Sequence, residues 1–253
     1  MKKVTVIGSG SWGTALAVML AENGHEVFIW SRRQDAVDEL LKERTNKKYL
    51  PGVVIPDSIQ ATTDRKEAVD GADIVILAVP SRAVAQTVRD FAPYLKTWQI
   101  LVNVAKGLEP ETLFLLSDVI KREAPQCEVC VLSGPSHAEE VARKVPTACL
   151  IACENEAVAK LVQEEFANPR FRLYTNTDLI GVEIGAALKN VMALAAGMSV
   201  LLGAGTIAGA TEQTDNNKIS REETAYVNTE ADGTVKEVTV SEWLKNVKAA
   251  SGS

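Results

Sequence analysis

Residues 3–22 read KVTVIGSGSWGTALAVMLAE, and this stretch decides the fold. Lys3–Ile7 is a short apolar run rich in β-branched residues, which predicts a buried strand ending at Gly8. From residue 12 to 23, Leu16, Met19 and Leu20 recur at helical spacing, and Gly24 stops the helix. Between them lies Gly8-x-Gly10-x-x-Gly13. Without a side chain, Gly8 permits the tight turn, Gly10 admits a ligand close to the backbone, and Gly13 lets helix and strand pack closely. The first N–H groups of the helix then face an anion, so the motif in this context predicts a dinucleotide pyrophosphate. The plainer alternative is a tight turn with no ligand.

Working outward, the same alternation continues. Residues 26–30 (EVFIW) read as a strand and Gln34–Arg44 as a helix. Thr45–Asp57, with Pro51, Gly52 and Pro56, reads as a surface excursion. Strands at Ile74–Val79, Ile100–Val104, Val129–Leu132, Thr147–Ala152 and Arg172–Tyr174 then alternate with helices. Those helices are Arg82–Tyr94, Glu111–Glu123, Ala138–Lys144 and Glu156–Ala167. Continuous apolar strands between amphipathic helices predict an α/β fold, a doubly wound Rossmann-type, mostly parallel sheet covered on both faces. Residues 1–176 are assigned to this nucleotide-binding domain.

Composition narrows the function. The chain has 253 residues, 46% of them hydrophobic, which supports a sizeable core. A net charge of −6, from 27 basic and 33 acidic residues, argues against a nucleic-acid or anionic-membrane partner. With 5% aromatics, a stacking platform for single-stranded bases is also disfavoured. Four cysteines suit a reducing cytoplasm, and no cleavable leader is read at Met1-Lys2-Lys3-Val4. Cys127-x-x-Cys130 and Cys149-x-x-x-Cys153 approach a zinc spacing. Along strands, however, residues three apart point to opposite faces and residues four apart lie roughly 13 Å from each other. Buried structural thiols are expected, and no metal site.

Three further stretches carry chemistry. Trp30-Ser31-Arg32-Arg33 ends the second strand, where an acid would bind a ribose 2′-hydroxyl and an arginine a 2′-phosphate. Two arginines and no acid favour NADP, with NAD as the alternative; merely solvated arginines are the plain reading. Lys106-Gly107-Leu108-Glu109 and Ser133-Gly134-Pro135-Ser136 both follow strands, at the carboxyl edge where open α/β sheets bind ligands. Lys106 could hold an anion as a point charge or be a surface lysine, and Ser136 could bind an anion or cap a helix.

GSGSWGTALA, the Lys106–Glu109 run, LSGPSHAEEV and GVEIGAALKNVMALAAG resemble, in order and spacing, the motifs of bacterial NAD(P)-dependent glycerol-3-phosphate dehydrogenases over about residues 1–197. The resemblance implies that Ser11, Trp12, Arg32 and Arg33 contact the cofactor beside Gly8, Gly10 and Gly13, and that Ala138 lines its site. It implies that Lys106 touches cofactor and substrate, that Gly134 and Ser136 hold the substrate, and that Lys189 is both a substrate contact and the catalytic base. The activity implied is NAD(P)H-dependent reduction of dihydroxyacetone phosphate to sn-glycerol 3-phosphate, feeding glycerophospholipid synthesis. A non-catalytic NADP-binding remnant and another β-hydroxyacid-type dehydrogenase are the rival readings.

The remainder departs from that pattern. The lysine helix is expected to open a helical substrate domain over residues 177–210. It runs into Val191–Ala210, twenty uncharged residues with four glycines, long enough for a membrane span but only moderately apolar. Self-association through 191–210, or a homo-oligomer, is expected rather than membrane insertion. Residues 211–253 are polar, with eight acids and five bases, and the runs Thr224–Thr229 and Val235–Val240 flank Ala231-Asp232-Gly233, a hairpin signal. Arg221 is the sole arginine after Lys189, so the family's Ser-Arg-Asn phosphate grip is not recognised and reduced turnover is expected. Ala208-Gly209-Ala210 after an apolar run reads as a signal-like junction to a foreign tail, with a core helix as the alternative.

Overall fold

Strands that are apolar at successive residues must be covered on both faces, and the helices here do that. The computed structural model describes residues 1–210, 226–229 and 235–238 of the chain. The strands are β1 (Lys3–Ile7), β2 (Glu26–Trp30), β3 (Gln60–Thr62), β4 (Ile74–Leu77), β5 (Ile100–Asn103), β6 (Glu128–Ser133), β7 (Thr147–Ala152) and β8 (Phe171–Asn176). They form one sheet in the order β3-β2-β1-β4-β5-β6-β7-β8. Every neighbouring pair is parallel except β6 and β7. This is the doubly wound, mostly parallel architecture that the alternation predicts.

One face packs against α1 (Ser11–Glu22) and α7 (Glu156–Phe166), through Leu16, Leu20, Val162 and Phe166. The other packs against α3 (Arg65–Val69), α4 (Ser81–Phe91) and α5 (Leu116–Glu123), through Val69, Val84, Phe91 and Ile120. Cys127 belongs to the second core and Cys130 to the first, as the period of two along a strand requires. All four cysteines are free and buried, the state expected from their strand positions. Burial pushes the Cys127 thiol up to about 11.

Several boundaries differ from the sequence reading. The helix read as Gln34–Arg44 is α-helical only over α2 (Gln34–Asp38) and widens into a π turn, Glu39–Glu43, which Arg44 ends in a left-handed conformation at φ 53°. β3 and α3 were not anticipated, because Gln60-Ala61-Thr62 carries no apolar run; β3 exists by pairing in parallel with β2. The helix read from Glu111 starts at Leu116. Ahead of it, Leu108 and Leu115 bridge across a loop whose buried Glu109 accepts the Thr112 hydroxyl and meets Arg122 at 3.5 Å. The stretch Thr45–Asp57 is not a mere surface excursion, since Asn46, Leu50 and Ile55 are all buried. The helix read as Ala138–Lys144 is α6 (Ala138–Ala142), and the residue at its N-cap is His137, not Ser136.

α8 (Leu179–Ala210) begins where the Asp178 carboxylate accepts the Gly181 N–H at 2.8 Å. Glu183, only 4% exposed, fixes the first turns of α8 to the start of α5: its carboxylate accepts the Ser117 N–H at 3.0 Å and the Ser117 hydroxyl. Residues Met1–Ala196 form one compact unit and Gly197–Ser253 another. In the second, β9 (Tyr226–Thr229) and β10 (Val235–Val238) pair antiparallel; Ala231–Gly233 and Arg221 lie outside the described residues. Among the described residues no helix is long and apolar enough to cross a membrane.

Burial raises the Glu183 pKa against the opposing hydrogen bonds from Ser117. A raised carboxyl pKa gives stability that is complete below the ordinary glutamate value and is lost as pH climbs through the raised one. Glu183→Ala should cost about 1–3 kcal/mol by stranding both Ser117 donors. In urea titrations across that window, Glu183→Gln should gain on the parent as pH rises. A constant gap between the two proteins would show that Glu183 does not titrate there.

Candidate active site

The chain winds outward from β1 through β2 to β3, then returns to β4 and winds the other way. At that reversal the loops after β1 and β4 part, leaving a crevice at the carboxyl edge. Gly8 stands there at φ 119°, and its N–H donates to the Trp30 carbonyl at 2.9 Å. A Cβ on Gly8 would lie 2.4 Å from the Ala78 carbonyl oxygen, and one on Gly13 2.2 Å from the Gly8 carbonyl oxygen. Both glycines are therefore demanded by backbone packing. Gly10 differs: a Cβ there would meet nothing within 4 Å. Protein packing therefore does not demand the glycine at that position, and the space over it is open. The helix α1 that starts at Ser11 has no side-chain cap and no acid in its first turn, so Ser11, Trp12 and Gly13 present free N–H groups.

Ser9 and Ser31 bring the first two strand ends together, with their hydroxyls 3.0 Å apart. Arg32 is exposed and makes no ion pair with any described residue. Arg33, half-buried, leans on Asp35 at 3.3 Å. Both guanidinium groups thus stand at the end of β2, one free and one tethered. Trp12 is partly buried and packs with Ala15, Leu50 and Ala138. That contact brings Ala138, at the start of α6, beside the glycine turn.

The other strand ends assemble a second cluster. After β5, the Asn103 side chain accepts the Ala105 N–H at 3.1 Å and turns the chain. Gly107, at φ 116°, carries it past Ser81. Lys106 then donates to the Gly134 carbonyl at 3.3 Å. A Cβ on Gly134 would lie 2.9 Å from Cys149 Cα, so this loop can lie flat on β7 only as glycine. Burial raises the pKa of the Cys149 thiol, while the Ser136 side chain lies near it and favours its ionised form. Lys189, half-buried on α8, lies within electrostatic reach of both Lys106 and Cys149. Although much of Lys106 is solvated, enclosure of its ammonium group lowers its pKa, and the charge of Lys189 lowers it further. Lys106, the Gly134–Ser136 loop and Lys189, three segments far apart in the sequence, are thus brought near one another.

Cys149 completes the floor of that site, a role the sequence reading did not give it. Its signal was the alternation in TACLIAC, where Thr147, Cys149 and Ile151 are buried and Ala148 and Leu150 are exposed. A cavity of about 500 Å³ lies elsewhere, among the second half of α1, the end of α6 and the turn before β8. None of the candidate residues lines it.

Known proteins were compared with this geometry. The family model described as NAD-dependent glycerol-3-phosphate dehydrogenase N-terminus matches residues 3–159, and the corresponding C-terminus model matches residues 178–216. A glycerol-3-phosphate dehydrogenase [NAD(P)+] of Bacillus pumilus is 48% identical over 213 residues, covering 83% of this chain and 62% of that protein. The Bacillus subtilis protein of the same description is 47% identical with the same coverage. The crystal structure of glycerol-3-phosphate dehydrogenase from Coxiella burnetii superposes with a TM-score of 0.75 at 37% identity, covering 83% of this chain and 64% of that one. The chain thus spans less than two thirds of the length of these relatives. On the extent of these matches, the chain belongs to the NAD-dependent glycerol-3-phosphate dehydrogenase family.

Proposed function

We propose that the chain binds NADP, with NAD as the weaker alternative, and reduces dihydroxyacetone phosphate to sn-glycerol 3-phosphate, in the cytoplasm. The observation that supports this reading most is the meeting of the Lys106 loop with the Gly134–Ser136 loop, where Lys106 donates to the Gly134 carbonyl and the charge of Lys189 is near enough to act on it. Two like charges within electrostatic reach of each other favour an anion beside them, and a phosphate ester would supply it. Gly8, Gly10 and Gly13 with the first N–H groups of α1 would hold the pyrophosphate. Ser11, Trp12 and Ala138 would flank it, and Arg32 and Arg33 would take the 2′-phosphate.

When bound, the reduced nicotinamide supplies the hydride. The chain's own residues do the rest. Ser136 and the Gly134 segment would orient the substrate, and Lys106 would hold its negative charge. Lys189 would donate a proton to the C2 oxygen as the carbonyl is reduced, and take it back in the reverse direction.

Replacing Arg32 and Arg33 together by alanine should remove a preference for NADPH over NADH of roughly 1–3 kcal/mol in binding titrations. Equal affinities in the unmodified chain would overturn the assignment of NADP. Lys189→Ala should cut the rate of NADPH oxidation with dihydroxyacetone phosphate by about 10²–10⁴ while NADPH affinity stays within a factor of two. Binding without any Lys189-dependent turnover would favour the reading of a cofactor-binding chain that does not catalyse. Independently of turnover, Lys189→Met should raise the pKa of Lys106, followed by NMR of isotopically methylated lysines. An unmoved Lys106 titration would show that the two charges do not share a site.

A further inference from the structure

The turn that would receive the pyrophosphate does not hold its own shape, and the loop between α2 and β3 supplies what it lacks. Asn46, 5% exposed, reaches from that loop into the turn. Its amide nitrogen donates to the Ser9 carbonyl at 2.9 Å and to the Thr14 hydroxyl at 2.8 Å, while its oxygen accepts the Tyr49 N–H at 3.3 Å. Both amide hydrogens and the carbonyl are thereby used. Because a trans peptide is planar, anchoring the Ser9 carbonyl toward Asn46 aims the Gly10 N–H the opposite way. Thr14, the second anchor, lies one turn into α1, so the same side chain ties the loop to the helix it feeds.

Four residues along, Leu50 is 1% exposed and packs with Ala15, Trp12 and Ala138. It therefore wedges between α1 and the start of α6, where the candidate substrate loop Gly134–Ala138 ends. The loop is itself built to be stiff. Leu50 N–H returns to the Asn46 carbonyl at 2.8 Å, Ile55 N–H closes onto the Arg44 carbonyl at 2.9 Å, and the Arg44 guanidinium bonds the Ile59 carbonyl at 2.9 Å.

We propose that Asn46 is a positioning residue for cofactor binding: its two amide donors fix the Ser9–Gly10 peptide and the start of α1 in the orientation that receives the pyrophosphate. This rests on the glycine turn being the cofactor site. It touches no ligand itself. Its effect is confined to the pyrophosphate half of the dinucleotide, because Arg32 and Arg33 hang from β2 and not from the loop.

The test uses the full chain and three variants: Asn46→Ala, Asn46→Asp and, as a packing control, Leu50→Ala. Asn46→Asp keeps the size and the acceptor for Tyr49 but replaces both donated hydrogens with an oxygen facing the Ser9 carbonyl. NADPH affinity should fall about 10- to 100-fold in both Asn46 variants, measured by titration well below each variant's melting midpoint, with near-UV circular dichroism showing the fold retained. Affinity for adenosine 2′-monophosphate, which lacks the pyrophosphate, should stay within a factor of two. Leu50→Ala should lower the melting midpoint while changing NADPH affinity less than either Asn46 variant does. If the Asn46 variants melt earlier yet bind NADPH like the parent, or lose both ligands equally, Asn46 is only structural and the proposal fails. A parent chain with no NADPH affinity overturns the reading of the glycine turn, and this proposal with it.

Discussion

The reversal of winding between β1 and β4 is the constraint on which the rest depends. Right-handed crossovers force β2 and β3 to one side of β1 and β4 onward to the other. There the loops of two neighbouring strands leave the sheet in opposite directions, which opens a crevice at the carboxyl edge. The glycines follow from this. Gly8 must turn within 2.4 Å of where Ala78 places its carbonyl, and Gly13 must pass the Gly8 carbonyl as closely. A bulkier turn would push β1 from β4 and close the crevice that the topology opens.

The three glycines of one motif accordingly answer to different demands of packing. Gly8 and Gly13 satisfy the protein, whereas the space over Gly10 belongs to no protein atom. The same division recurs beyond β5 and β6. Asn103, Gly107 and Gly134 shape the backbone, while Lys106 and Ser136 present the chemistry. Glu183 does for α8 what Asn103 does for the Lys106 loop, a buried polar contact that fixes where a lysine begins its reach.

The sheet was legible in the sequence because its strands are short continuous apolar runs and its glycine turn has a fixed spacing. The clusters at the carboxyl edge were legible as motifs, but their meeting was not. Nothing local in Lys106, Ser136 and Lys189 says that two loops and a helix bring them near one another. What escaped reading has two causes. β3 is polar and exists through its partner strand, so no pattern of its own marks it. The stretch Thr45–Asp57 looks like a solvent loop because of its prolines and lysines, yet Asn46 and Leu50 point inward, and a buried asparagine with three partners leaves no periodic trace. The thiol of Cys149 was read correctly as buried and missed as a floor, because burial and position are separate properties.

The nearness of Lys189 has a consequence for how Lys106 holds its proton. Enclosure and the positive charge of Lys189 both work against the charged form of Lys106, so its ammonium group keeps its proton less firmly than a fully solvated lysine does. An anion arriving beside Lys106 would offset both penalties and tighten its hold on that proton, and a doubly charged anion would do so more than a singly charged one of the same shape.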